Sequence, residues 1–349
     1  MQNGNLYALL EEDKMKKHHL LTDILNLITV CLIAYINFST DFTSWIFSII
    51  SSVVVTVIFC STTFGKSTTY LVASILVSFA SYYFSTNVHD TNSILNTLIS
   101  IFDLYCPTYV LYLCLKSEKL GLGKVLYFTT AASIATNLLT LAKIKYFDKV
   151  SLIDVINEAY DQVSNTYLTV FSSNKSFEGF NPEQLLSAVD TVRDITVMLL
   201  PAFVIIACMV ISYILMVAVR GMTKIYLGNK YPNVEYFYQA TCGKMLSVIT
   251  IVLVLISFAF GNEYFSSAVY NFAIVACFIY FSVGVSVAYF FIIKKLRNIH
   301  LAKICTALLV IASVISVLIM PTFNGLSILF MIGLMDSNVN FRKLKKVGV

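Results

Sequence analysis

Asp103 is the side chain with the clearest chemical potential in this sequence, because it interrupts the apolar run Ile94–Leu115. A carboxylate inside a membrane-spanning helix costs several kcal/mol unless it faces a pocket, a partner or water. Pro107 follows one turn later and, having no N–H to donate, frees a backbone carbonyl. Together the two describe a kinked or broken helix with exposed polar groups, the device from which membrane transporters build binding sites. A second reading stays open, in which Asp103 lies near the outer interface or pairs structurally with another span. Asn137 and Pro201, in later apolar runs, are candidates of the same kind, although a buried Asn also joins helices without any ligand. The expected solute-binding residues are therefore Asp103, Pro107 and Asn137.

Other motifs fall short of a reaction. Gly65-Lys66-Ser67 matches the end of a phosphate-binding loop, but Cys60 stands where the leading glycine is required. Gly325-Leu326-Ser327-Ile328 has the setting of an intramembrane serine nucleophile, yet His18, His19, His89 and His300 all fall outside the apolar runs, so none can activate it. Gly333-Leu334-Met335-Asp336 lacks the second glycine and the partner aspartate of an intramembrane aspartyl protease. Neither H-E-x-x-H nor G-x-S-x-G occurs. The eight cysteines form no C-x-x-C pair and mostly sit within or at the ends of apolar runs, as small packing residues do. The chain is expected not to be an enzyme and to carry no metal or cofactor.

The elements that hold these residues are membrane spans. Hydrophobic residues make up 58% of the sequence and charged ones 12%, against about 25% charged in a soluble domain. Ten apolar runs stand out: Leu20–Asn37, Phe42–Cys60, Thr69–Phe84, Ile94–Leu115, Val125–Ala142, Ile195–Val219, Met245–Phe260, Ala268–Ile293, Ala302–Met320 and Thr322–Met335. Lys and Arg occupy alternate connections. They fall at Lys14, Lys16 and Lys17, at Lys66, at Lys116, Lys119 and Lys124, across 220–244, across 294–303 and from Arg342 to Lys346. The short connections Phe38–Asp41, Ser85–Ser93, Gly261–Ser267 and Pro321 carry none, so both termini are expected in the cytoplasm of a multi-pass cell-membrane protein. The formal charge of +5 is spent at span ends, where it meets anionic lipid, and no basic face interleaved with aromatics suggests nucleic acid.

The fold class expected is all-α, a polytopic transmembrane bundle of about ten spans with an extracytoplasmic helical insertion. Its parts are a cytoplasmic N-terminus (1–19), a six-span bundle (20–219) containing the insertion (143–194), a cytoplasmic loop (220–244), a four-span region (245–336) and a basic cytoplasmic tail (337–349). Within the insertion, Leu152, Val155, Ile156, Ala159, Tyr160, Val163, Tyr167 and Val170 recur at helical spacing. Asn181-Pro182-Glu183 starts a second helix with a cap residue, a first-turn proline and an early acid. In the cytoplasmic loop, Tyr226, Tyr231, Tyr236, Phe237 and Tyr238 read as interfacial aromatics. Asp336 near a helix C-terminus needs a cation, and direct pairing with Arg342 requires the helix to end between them.

The tail Gly333-Leu334-Met335-Asp336, continuing to Phe341-Arg342-Lys343, resembles the closing pattern of the YybS-like family of bacterial membrane proteins, a family of unknown function. Cys106-Pro107 followed by Lys116 and Gly123-Lys124 extends the likeness, as do Leu199-Leu200-Pro201-Ala202 and Lys294-Lys295. Gly333, Asp336, Phe341 and Arg342 would form its structural tail motif. The family's first six spans are in turn similar to the substrate-binding S components of energy-coupling-factor importers. This likeness implies a transport-type protein that binds a small solute within those spans. The alternative is a non-transporting scaffold or regulator of envelope machinery. Expected partners are membrane lipid, a small-molecule solute and a membrane protein.

Overall fold

The computed structural model describes residues 2–39, 45–85, 91–117, 121–173, 182–227, 237, 240, 242–260, 263–320 and 324–342. Asn181, Pro321, Lys119, Tyr231, Tyr236, Tyr238 and the basic residues after Arg342 lie outside them. The described chain is all-helical: α1 (Gln2–Ser39), α2 (Trp45–Ser61), α3 (Phe64–Ser85), α4 (Thr91–Lys116), α5 (Leu122–Tyr146), α6 (Leu152–Ser173), α7 (Pro182–Leu227), α8 (Lys244–Phe260), α9 (Glu263–Leu296), α10 (Ile299–Ile319) and α11 (Gly325–Val339). Six helical segments are long and apolar enough to cross a membrane, in α1, α4, α5, α7, α9 and α10. Three further apolar helices are shorter, at Ile46–Ser61, Lys244–Ser257 and Gly325–Val339. At a rise of about 1.5 Å per residue, α11 falls short of the roughly 30 Å hydrocarbon layer.

Polarity runs inward. In α1, Leu21, Leu25, Ile28 and Leu32 are exposed while Asn26, Val30, Ala34 and Asn37 are buried. In α10, Ile304, Leu308, Ile311 and Ile315 are exposed while Ala302, Thr306 and Ser313 are buried. A helix in water would reverse this; in lipid, apolar side chains face out and small or hydroxylated ones mediate helix packing. Most buried hydroxyls satisfy themselves on the preceding turn, as Thr56 does on the Ser52 carbonyl (2.7 Å) and Thr306 on that of Ala302 (2.8 Å).

Two compact units divide the chain. The first comprises Met1–Leu120, Val125–Thr140 and Ile211–Asn233; the second comprises Gly121–Lys124, Leu141–Val210 and Val234–Val349. In the first, α1 packs on α3 and α2 on α4, with α3 against α4. Val30, Val55, Ile58, Phe59, Tyr70, Ile101, Tyr105 and Tyr112 form its core.

In the second unit α9 is the hub, flanked by α11, α10 and α8. Two glycines let α9 and α11 meet backbone to backbone. A methyl group on Gly284 would sit 1.8 Å from the Leu329 carbonyl oxygen, and one on Gly333 would sit 1.8 Å from that of Tyr280. Each glycine thus fits against the residue one turn from the other. The contact follows the small-residue rule of membrane helices, with backbone approach close enough for Cα–H to carbonyl interactions.

The amphipathic segment of the insertion is helical, as α6, and no described residue in it is fully buried. The expected second helix is not separate. It is the first part of α7, which continues through the sixth apolar run for 46 residues in all. Nothing between Val192 and Ile195 breaks a helix, and Arg193 braces the stretch through Asp190 (3.1 Å) and Asp194 (3.4 Å).

Pro201 lies inside α7 and interrupts its ladder. Asn271 of α9 is inserted at the break: its side-chain amide donates to the Met198 carbonyl (2.7 Å) while its oxygen accepts from the Ala202 N–H (2.9 Å). Those two backbone groups would bond each other in an unbroken helix. Asn271→Leu should therefore lower the stability of the protein in detergent by about 1–2 kcal/mol, as two buried backbone groups lose their partners. Thermal melting followed by circular dichroism measures the loss, and an unchanged melting curve would refute the role given to Asn271.

Candidate functional site

The first unit concentrates hydroxyl groups between α3 and α4. Ser67, Ser74, Ser78 and Ser81 line one side of α3 and are buried. Opposite them α4 presents Tyr105, Thr108, Tyr109 and Tyr112. Ser67 Oγ lies 2.7 Å from the Tyr112 hydroxyl, Ser78 Oγ 3.3 Å from that of Tyr105, and Thr68 Oγ1 3.2 Å from that of Tyr109. This pairing explains why α3 falls below the hydropathy of a simple span: its polar groups are turned onto tyrosines. Phe59 packs edge-on against both Tyr109 and Tyr112 and seals the rungs from α2.

Cations close one end of this array. Lys116, in the last turn of α4, donates to the Tyr112 hydroxyl (3.0 Å) and the Thr62 carbonyl (3.1 Å), with its ammonium over the Tyr112 ring. Lys66 pairs with Asp23, whose backbone carbonyl accepts from Tyr70 (3.0 Å). The Lys116 position also suits the negative end of the α4 dipole.

Asp103 lies near the middle of α4 with its side chain exposed, while Pro107 is buried inside the same continuous helix. Proline at 107 removes the N–H that would bond the Asp103 carbonyl, so backbone and side-chain acceptors coincide at one residue. Asn137 is exposed on α5, and its amide donates to the Ser133 carbonyl of its own helix (2.8 Å). The structure places Asp103 and Pro107 on one helix face. Among the described residues, no hydrogen bond or ion pair joins Asn137 to them.

The tail residues meet in the second unit. The αL conformation of Asn340 (φ 53°, ψ 61°) ends α11 and turns the chain back. Arg342 then reaches Asp336 Oδ2 through Nε (3.1 Å) and Nη2 (2.6 Å), with neither side chain accessible to solvent. Its other bonds go to Ser286 Oγ of α9 (2.8 Å) and to the Ala240 carbonyl (2.7 Å). Ser286 in turn donates to the Phe237 carbonyl at 2.5 Å. One guanidinium thus fastens α11, α9 and the segment before α8, while Asp336 Oδ1 is buried with no hydrogen-bond partner among the described residues. Gly333 serves the α9 contact, and Phe341 is exposed. Nearby, burial raises the Cys242 thiol above its ordinary range, which makes it a poor nucleophile.

Sequence reasoning overlooked Asn271, Ser286 and the paired hydroxyls. A signal for the hydroxyls existed: Ser67, Ser74, Ser78 and Ser81 repeat at helical spacing, as do Tyr105, Tyr109 and Tyr112.

A family model described as predicted membrane protein (DUF2232) matches residues 32–337. No curated protein and no solved structure matches the chain.

Proposed function

We propose a function from the premise that the chain belongs to the DUF2232 family of predicted membrane proteins: it is a transport-type protein, not an enzyme, that binds a small solute within its first six spans. In this reading the helices form about ten spans with both termini in the cytoplasm of a bacterial cell membrane. Residues 143–194 form an extracytoplasmic insertion. The six-span part, 20–219, acts in the manner of an energy-coupling-factor S component, consistent with the YybS-like tail, and a membrane-protein partner supplies the energy. Asp103 and Pro107 belong to the solute site, with Asn137 on the neighbouring span.

The single observation that carries the proposal is the unpartnered Asp103 carboxylate in the middle of a membrane-length helix. Among the described residues no hydrogen bond or ion pair reaches it. Lipid is a poor neighbour for such a group, and intramembrane carboxylates ordinarily mark solute or ion pathways. A scaffold would need no charge there.

Mass spectrometry of the protein purified with its surrounding lipid tests the reading. A small solute should accompany the wild-type protein and be depleted from Asp103→Asn. An envelope protein in its place, with no solute, would favour the scaffold alternative.

A further inference from the structure

Asp103 does not stand alone on its helix. At 100° per residue, Asn96, Ser100 and Asp103 fall within about 60° of one another on α4. All three are exposed, and none has a hydrogen-bond partner among the described residues. Pro107, Leu111 and Cys114 continue the same face, and all three are buried. The face is therefore open and polar over the first half of the span, then covered from Pro107 onwards. Its floor carries a carboxylate and the carbonyl that Pro107 leaves without a donor. Ten residues separate Asp103 from Ser93, a depth of about 15 Å along the helix.

We propose that this half-span face of α4 is a water-accessible cleft, entered from the Ser93 end, that selects a cationic solute. The inference rests on the transport reading above and adds the class of solute, an ammonium or guanidinium group small enough to pass between helices. Charge complementarity points to that occupant. The floor offers acceptors only, a carboxylate and the backbone carbonyl whose usual donor Pro107 removes, and among the described residues no basic side chain pairs with the carboxylate. Asn96 and Ser100 supply adaptable polar contacts along the way in. An anion would meet the Asp103 charge in a low-dielectric setting, and a purely apolar ligand would leave every one of these groups without a partner. Ile94, Leu98 and Phe102, also exposed, lie on the opposite side of the same helix turns and present apolar groups there.

Charged thiol reagents test the cleft without requiring transport. In a background where Cys31, Cys60, Cys106, Cys242, Cys277 and Cys305 are replaced by alanine and only buried Cys114 and Cys208 remain, Ser100→Cys is treated with two methanethiosulfonates. One carries a trimethylammonium group and the other a sulfonate. The cationic reagent should react faster by about tenfold after correction for intrinsic reactivity, because a negatively charged cleft concentrates cations. Adding Asp103→Asn should bring the two rates to within about a factor of two. Guanidinium ion should slow the cationic reagent in the presence of Asp103 alone. Asn96→Cys, nearer the opening, provides a second position if Ser100→Cys does not insert.

Equal rates for both reagents would overturn the proposal, as would a preference that survives Asp103→Asn. Reaction with a membrane-permeant maleimide alone would also overturn it, by showing that lipid or a protein partner covers the face. Charge selection with no copurifying solute would retain the cleft and sink the transport reading. A neutral or anionic bound solute without charge selection would do the reverse.

Discussion

Arg342→Met should destabilise the second unit by about 3–5 kcal/mol, because it leaves the Asp336 carboxylate buried without its counter-charge. The geometry makes the loss larger than that of one ion pair. The guanidinium also satisfies Ser286 Oγ and the Ala240 carbonyl, both far away in sequence. Asp336 already has one oxygen without a partner among the described residues, so none of them stands ready as a second donor. The double substitution Asp336→Leu with Arg342→Met should recover much of the stability, since removing both members of a buried pair is often nearly neutral. Thermal unfolding in detergent distinguishes the two variants. Equal damage from the single and double substitutions would mean that the ion pair is not what holds the tail.

Gly333→Ala is the second large effect. Its methyl group would overlap the Tyr280 carbonyl oxygen, and backbone cannot move aside as a flexible side chain can. The expected loss is about 1–3 kcal/mol, rising with larger side chains as α11 is driven from α9. Gly284→Ala should behave alike, since it meets the Leu329 carbonyl at the same distance. Gly221, which has open space around its Cβ position, is the control and should tolerate alanine. Retention of folded, monodisperse protein in Gly333→Val would contradict the close packing described.

The apolar runs made the helices legible because lipid demands long stretches without charge, and a helix is the simplest way for a spanning backbone to satisfy its own polar groups. The turn between Asp336 and Arg342 was also readable, from helical geometry and the position of the acid. Other features were hidden for physical reasons. The junction at Arg193 and Asp194 lacks a breaker, so the segment from Pro182 and the sixth apolar run join as α7. Asn271 looks like any polar residue within a span, and its role exists only because Pro201 opens a rung on another helix. Gly284 and Gly333 become a pair only once α9 and α11 are side by side. Asn137 stands out in the sequence by its type, and in the fold its amide donates to the Ser133 carbonyl one turn back.

Whether the polar face of α4 opens towards the outside, as proposed, depends on the orientation of the chain in the membrane. On the proposed topology, drawn from the alternation of Lys and Arg, α6 would lie outside and the end of α7 inside. Asn165 and Tyr226 are exposed at those two places. Single cysteines at these positions, challenged in intact cells with a membrane-impermeant maleimide, test the claim directly. Asn165→Cys should be labelled, and Tyr226→Cys should be spared until the cells are permeabilised. Labelling of Tyr226→Cys in intact cells, with Asn165→Cys protected, would invert the topology and turn the α4 cleft towards the cytoplasm.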